Sequence, residues 1–154
     1  MFIYALAFAL GIVTGLRTFM PLAALSWAAR LGLLKVGGTS LAFLGYAATP
    51  WIASFLAFGE LIGDQHPKTP SRKSPPQFIA RVASGAFSGA AVGLAYHGLV
   101  GCIVCGVVGA VIGTLGGAAA RTALARAFGK DLPAALVEDV VAIAGAAVIV
   151  SQLP

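Results

Sequence analysis

The sequence predicts an all-α integral membrane protein of about five transmembrane helices, folded as one domain over residues 1–154. Three observations predict it. Hydrophobic residues make up 59% of the chain and charged residues 10%, where a soluble domain carries about a quarter charged, so the apolar excess has to face lipid. Residues 1–16, 36–59, 82–120 and 140–154 contain no Asp, Glu, Lys or Arg, and a helix needs about 20 apolar residues to cross a bilayer. The strict alternation of polar and apolar positions that marks a membrane β-barrel is absent. The net charge of +5 comes from basic residues that flank apolar segments. That is ordinary positive-inside placement, so it points to membrane lipids as surroundings and not to nucleic acid.

The first segment, 2–34, is too long for one pass, and Arg17 and Pro21 interrupt it. Proline removes a backbone donor and tends to break a helix. The spacing therefore predicts a helix over 2–18, a break near Pro21, and a second apolar piece over 22–34 that kinks onward, lies at the interface or re-enters. No basic stretch precedes Phe2 as in a cleaved signal, so this segment is expected to remain a membrane helix. A second span is expected over 41–62, with Pro50 inside it and Glu60 and Asp64 at its end. Residues 65–76, QHPKTPSRKSPP, form the strongly polar loop, carrying Lys68, Arg72 and Lys73. Further spans are expected over 77–98, 101–128 and 134–153, the last with Asp131 as N-cap and Pro133 in the first turn.

The 39 uncharged residues 82–120 would make roughly 60 Å of helix, or two passes. They predict a hairpin turning near 98–101, with Arg81 and Arg121 snorkelling at one face. Gly85, Gly89 and Gly93, then Gly109, Gly113 and Gly117, recur every fourth residue. That spacing lets helix backbones approach closely in lipid. It predicts a glycine zipper, either within the hairpin or between copies of a homo-oligomer. With five passes, the 65–76 loop and the region around Arg121, Arg126 and Lys130 share the cytoplasmic side with the N-terminus, and the C-terminus is external. The Arg17-Thr18 and Arg121-Thr122 steps, each followed by a pair of acids, suggest an inverted repeat of the kind transporters use.

A charge in hydrocarbon is costly and marks a functional site unless it is paired. Arg17 lies too deep to snorkel. It reads either as a structural partner of Glu60 or Glu138, or as an anion contact at a half-helix end with the Thr18 hydroxyl beside it. Glu60 and Asp64, at i and i+4, share one helix face, and Glu138 and Asp139 lie a turn inside the last span. Together with Arg81, Arg121 and Arg126 they read as interfacial ion pairs, or as a vestibule that exchanges protons or binds a cation. The candidate substrate-binding set is Arg17, Thr18, Glu60, Asp64, Arg72, Arg81, Arg121, Glu138 and Asp139. His66 follows the acids without a recognised metal-site spacing, and His97 reads as a turn residue. Cys102 and Cys105 lack the βαβ context of a redox motif and read as packing residues. No catalytic triad, phosphate loop or nucleotide fingerprint is present, so no metal, cofactor or catalytic residue is assigned.

The stretches GLRTFMPLAALSWAARLG, GELIGDQHPKTPSR and ARVASGAFSGAAVG resemble a family of small bacterial multi-pass membrane proteins of uncharacterised function. The residues that carry the likeness are Gly15, Leu16, Phe19, Pro21 and Leu22, then Glu60, Asp64 and Pro67. Gln65 stands where that family has Lys. The resemblance covers about the first 95 residues and implies a helical protein of the bacterial inner membrane. Gly15–Pro21 is also similar to a motif of membrane undecaprenyl-pyrophosphate phosphatases, and residues 70–74 match a second such motif loosely. Arg17 and Thr18 stand where those enzymes carry acids, so this likeness implies lipid-phosphate binding through Arg17 and Arg72 rather than catalysis.

Three functions follow. The first is a transporter- or channel-like protein for a small anionic or proton-coupled solute, with Arg17 on the solute and Glu60 or Glu138 handling protons. The second is a polyprenyl- or lipid-phosphate binding protein or phosphatase. The third is a structural membrane scaffold.

Overall fold

The computed structural model describes residues 1–64 and 74–154. Among them are six α-helices: α1 (Phe2–Leu16), α2 (Met20–Arg30), α3 (Thr49–Gly63), α4 (Pro75–Ala95), α5 (Leu99–Phe128) and α6 (Asp131–Ser151). A short 3-10 turn at Ala42–Gly45 precedes α3. The all-helical, membrane-like reading stands. Among the described residues three helices, α4, α5 and α6, are long and apolar enough to cross a membrane. The expected helix over 41–62 is instead the 3-10 turn followed by α3. Pro50 sits in the first turn of α3 rather than inside a span, because a first-turn position needs no N–H from it. Similarly, α1 stops at Leu16 and Pro21 lies in the first turn of α2. Asp131 does not cap α6; Lys130 holds that position, and Asp131 is the first helical residue.

The long helix α5 packs against both α1 and α4, which also touch each other. A methyl group at Gly89 of α4 would collide with the Cys102 carbonyl, and one at Gly85 would meet the Ala110 side chain at 2.6 Å. On the other flank, Gly11 lies against Gly106, Gly109 against the Phe8 carbonyl and Gly113 against the Ile12 carbonyl. Glycines of α5 thus meet α1 as well as α4, and the contact with α1 is one that the spacing alone did not indicate. Gly98 lies against Ile3 and Tyr4, and Gly15 against Thr114, so α1 and α5 run parallel. An inverted repeat would require them to run in opposite directions, and that expectation is corrected.

α2 turns back toward the end of the bundle where α1 begins. There the Tyr96 hydroxyl, just past α4, lies 3.0 Å from the Leu33 carbonyl and 2.8 Å from the Pro154 carbonyl. Burial pushes the phenol up from its ordinary value, so it remains a proton donor. Leu153 packs with Leu6, Leu34 and Val92 in the main apolar cluster. His97 makes the α4–α5 turn with a left-handed backbone, φ 59°, a conformation that costs a non-glycine residue energy. Met1, Tyr96 and Pro154 therefore share one end of the bundle. Asp64 and Ser74, which flank the polar loop, lie at the other. The expectation that Met1 and Pro154 lie at opposite ends is corrected, because the chain doubles back at Arg17; residues 65–73 of the polar loop lie outside the described residues.

α2 and α3 pair through Ala23, Ala53 and Ala57, through the Trp27 indole donating to Ser54 (3.0 Å), and through an edge-on Trp27–Trp51 contact at 5.1 Å. This pairing brings the end of α3 up to the α1–α2 break.

The glycine contacts make a direct prediction. Gly89→Leu and Gly113→Leu each insert a side chain against backbone and should destabilise the detergent-solubilised protein by about 1–3 kcal/mol or more. Gly116→Leu faces open space and should leave the melting curve unchanged. Wild-type melting in both of the first two variants would mean that these contacts contribute nothing.

Candidate functional site

Where α1 ends, Arg17 takes an extended backbone (φ −142°, ψ 117°), and α2 begins three residues later. A helix end leaves unpaired carbonyls and a helix start leaves unpaired N–H groups. Here both sets of groups are met by charge. The Arg81 guanidinium, from α4, donates through Nη1 to the carbonyls of Gly15 and Leu16, each at 2.8 Å. The Glu60 carboxylate, from the last turn of α3, accepts the Thr18 N–H at 2.7 Å and the Phe19 N–H at 2.8 Å. Ser84 Oγ donates to the Thr18 carbonyl at 2.7 Å. A cation thus sits at the negative end of α1 and an anion at the positive end of α2, the arrangement that helix dipoles favour.

Arg17 itself is 0% exposed. Its Nε donates to Asp139 Oδ1 at 2.7 Å. Its two Nη groups reach Asp139 and Asp64. The sequence placed its partner at Glu60 or Glu138, and the structure gives the other member of each pair. Adjacent positions on α6 point about 100° apart, so Asp139 faces α1 while Glu138 faces α5. Arg81, expected to snorkel, is also 0% exposed and lies 3.7 Å from both Glu60 and Asp64. Arg121 belongs to the same level of the bundle but bridges α5 to α6. It donates to the two oxygens of Asp131 at 3.0 and 2.6 Å and lies 3.6 Å from Glu138.

All five acids of the chain are therefore gathered around three arginines. Of the candidate residues, Arg17, Thr18, Glu60, Asp64, Arg81 and Asp139 meet at the break, and Arg121 and Glu138 lie beside it. Arg72 and His66 lie outside the described residues. Sequence reasoning missed Asp131, which read as an N-cap, and Ser84. The signal for Ser84 was its place one turn after Arg81 on the same face of α4.

A groove of about 440 Å³ opens beside the cluster, lined by Thr18, Phe19, Glu60, Asp64, Gln77 and Ala80 among others. A second, of about 460 Å³, adjoins it and is lined by Leu22, Phe43, Ala83, Ser84 and Phe87 together with Thr18, Phe19 and Ala80. Among the described residues, the charged groups lining the first groove are the carboxylates of Glu60 and Asp64. Arg17 and Arg81 lie behind them. The Arg17 guanidinium is enclosed, and its donors are directed at Asp64 and Asp139.

Removing one partner from a buried charge pair leaves the other stranded and costs about 3–5 kcal/mol. Arg17→Ala should destabilise the protein on that scale in equilibrium unfolding. Combining it with Asp139→Ala should restore part of the loss, giving a coupling term that a double-mutant cycle resolves. Strict additivity of the two changes would remove the pair from the account of the fold. Comparison with protein-family models, curated proteins and solved structures finds no match.

Proposed function

We propose that the chain is a small multi-pass membrane protein of the transporter or channel class, with its polar centre at the α1–α2 break. The observation that supports this most is the meeting of two half-helix ends with a buried set of carboxylates beside a groove. Discontinuous helices whose ends face a charged centre are the recurring site architecture of secondary transporters. Irregular backbone at membrane depth is tolerated only where protein or water covers it. Among the described residues, Glu60 and Asp64 are the charged residues that line the groove. As carboxylates they suit the handling of coupling protons. Arg17, Arg81 and Asp139 hold the break in shape behind them.

In this reading α1 and α2 form a re-entrant hairpin, and α4, α5 and α6 cross the bilayer. The glycine faces act as zipper contacts in lipid. Arg126 and Lys130 lie at the end away from Met1 and Pro154, so the positive-inside rule makes that end cytoplasmic and both termini external, in a bacterial inner membrane.

Two experiments test this. Purified protein in liposomes should dissipate an imposed pH gradient or potential, read with an enclosed dye, and Glu60→Gln or Asp64→Asn should slow the flux at least tenfold in protein that remains monodisperse. Wild-type flux no faster than in protein-free vesicles would refute the transport reading. For topology, in a Cys102→Ser, Cys105→Ser background, an impermeant maleimide applied to intact cells should label Gln152→Cys and leave Arg126→Cys unlabelled. The reverse pattern would invert the assignment.

A further inference from the structure

The two ends of the bundle carry different chemistry. The chain has two Trp and three Tyr, and all five lie at or near the end shared by Met1 and Pro154. Tyr4 is in the first turn of α1, Trp27 in the last turn of α2 and Tyr96 just past α4, while Tyr46 and Trp51 stand on either side of the start of α3. The five acids lie in the other half, at the α1–α2 break or beside Arg121. Between Arg30 and Trp51 the chain is held down by Leu34, Val36 and Leu44, which are buried in the main apolar cluster. Leu31 and Trp51 remain 68% exposed and Tyr46 64%. Arg30 and Lys35 are exposed as well. Among the described residues neither cation pairs with an acid, and neither the Trp51 indole N–H nor the Tyr46 hydroxyl has a hydrogen-bond partner. This surface therefore presents positive charge and open donors beside hydrocarbon, with no carboxylate among them.

We infer that residues 30–51 form a docking surface for anionic phospholipid. Arg30 and Lys35 are placed for the head-group phosphate, whose oxygens accept hydrogen bonds and carry the opposite charge. Trp51 and Tyr46 belong at the boundary between head groups and acyl chains, where a ring with a polar tip finds both of the surroundings it needs. Leu31 adds apolar surface beside them. The charge pattern selects a net anionic lipid over a zwitterionic one. An ammonium head group brings a positive charge that no carboxylate on this surface meets, whereas an anionic head group brings the charge that Arg30 and Lys35 complement. The inference goes beyond the transport reading and does not need it, since it requires only that the bundle sits in a bilayer. It also fixes a depth. Arg17 lies roughly 20 Å of helix from Tyr4, so with the aromatic end in the head-group layer the charged break falls well inside a hydrocarbon core of about 30 Å.

The test reads which lipid lies next to Trp51. Trp27→Phe leaves Trp51 as the single tryptophan of the full chain. The protein is reconstituted in phosphatidylcholine nanodiscs that contain a minor fraction of spin-labelled phosphatidylglycerol or, in parallel, of spin-labelled phosphatidylcholine, either of which quenches indole emission at close range. Spin-labelled phosphatidylglycerol should quench Trp51 at least twofold more than the same fraction of spin-labelled phosphatidylcholine. Added salt should narrow the difference, because exposed charges are screened. Arg30→Gln combined with Lys35→Gln, both at exposed positions, should abolish the difference at an unchanged melting temperature. Arg126→Gln combined with Lys130→Gln, at the opposite end, should preserve it. A nitrobenzoxadiazole label on Tyr46→Cys, in the Cys102→Ser, Cys105→Ser background, reads the same surface should Trp27→Phe fail to fold. Equal quenching by the two lipids would overturn the selection of an anionic head group. Quenching of Trp51 by acrylamide and by neither lipid would overturn the inference by turning this surface to water, open to a protein partner. Flux through liposomes that persists without any lipid selectivity would leave the transport reading intact and reject this one alone.

Discussion

The fold depends on one arrangement, the termination of α1 and the start of α2 inside the bundle. Breaking a helix away from water exposes carbonyl oxygens on one side and N–H groups on the other, and each buried unpaired group costs about 1–3 kcal/mol. The chain answers with charges of opposite sign delivered by other helices: Arg81 on the carbonyls of Gly15 and Leu16, and Glu60 on the N–H groups of Thr18 and Phe19. These two charges then need compensation of their own. Arg17, Asp64 and Asp139 provide the rest of the charge set. The cluster follows from the break, and the break is kept open by the cluster.

Close backbone packing is the second requirement, and it serves the first. Arg81 reaches the end of α1 because α4 and α1 both lie against α5 with glycine at the contacts. Larger side chains on those faces would hold the helices apart, and the guanidinium would lose the carbonyls. The alanines Ala142 and Ala146 of α6 pack on Val13 in the same way and carry Asp139 up to Arg17. Small residues in membrane-like helices allow this approach without a hydrophobic driving force between them.

Much of this was legible in the sequence, and the limits are instructive. The charge-free runs gave the apolar helices, and Arg17 before Pro21 gave the break. The i, i+4 spacing of Glu60 and Asp64 put both on one face, and that face does meet Arg17 and Arg81. Three features were not legible. The pairing of Arg17 with Asp64 and Asp139 over their neighbours is a matter of helix rotation, which a pattern of charges does not encode. The seating of α1 on α5 uses Gly11 and Gly15, only two glycines in a helix otherwise read as lipid-facing. The return of α2 beside α1 depends on tertiary contacts with α3 and α6 rather than on any signal within residues 20–30, so the direction of the chain after Arg17, and with it the side on which Met1 lies, was beyond a reading of spans alone.

The Arg17–Asp139 bond joins residues 122 positions apart, and this separation governs the order of assembly. The α1–α2 hairpin, with its arginine, is synthesised before any of its acidic partners. Asp64 follows at the end of α3. Asp139 comes only with α6, after the other five helices. Arg17 therefore has no carboxylate partner until α3 is made, and its full set only once α6 follows. A chain cut short before α6 leaves Arg17 without the carboxylate that holds it through both Nε and Nη2.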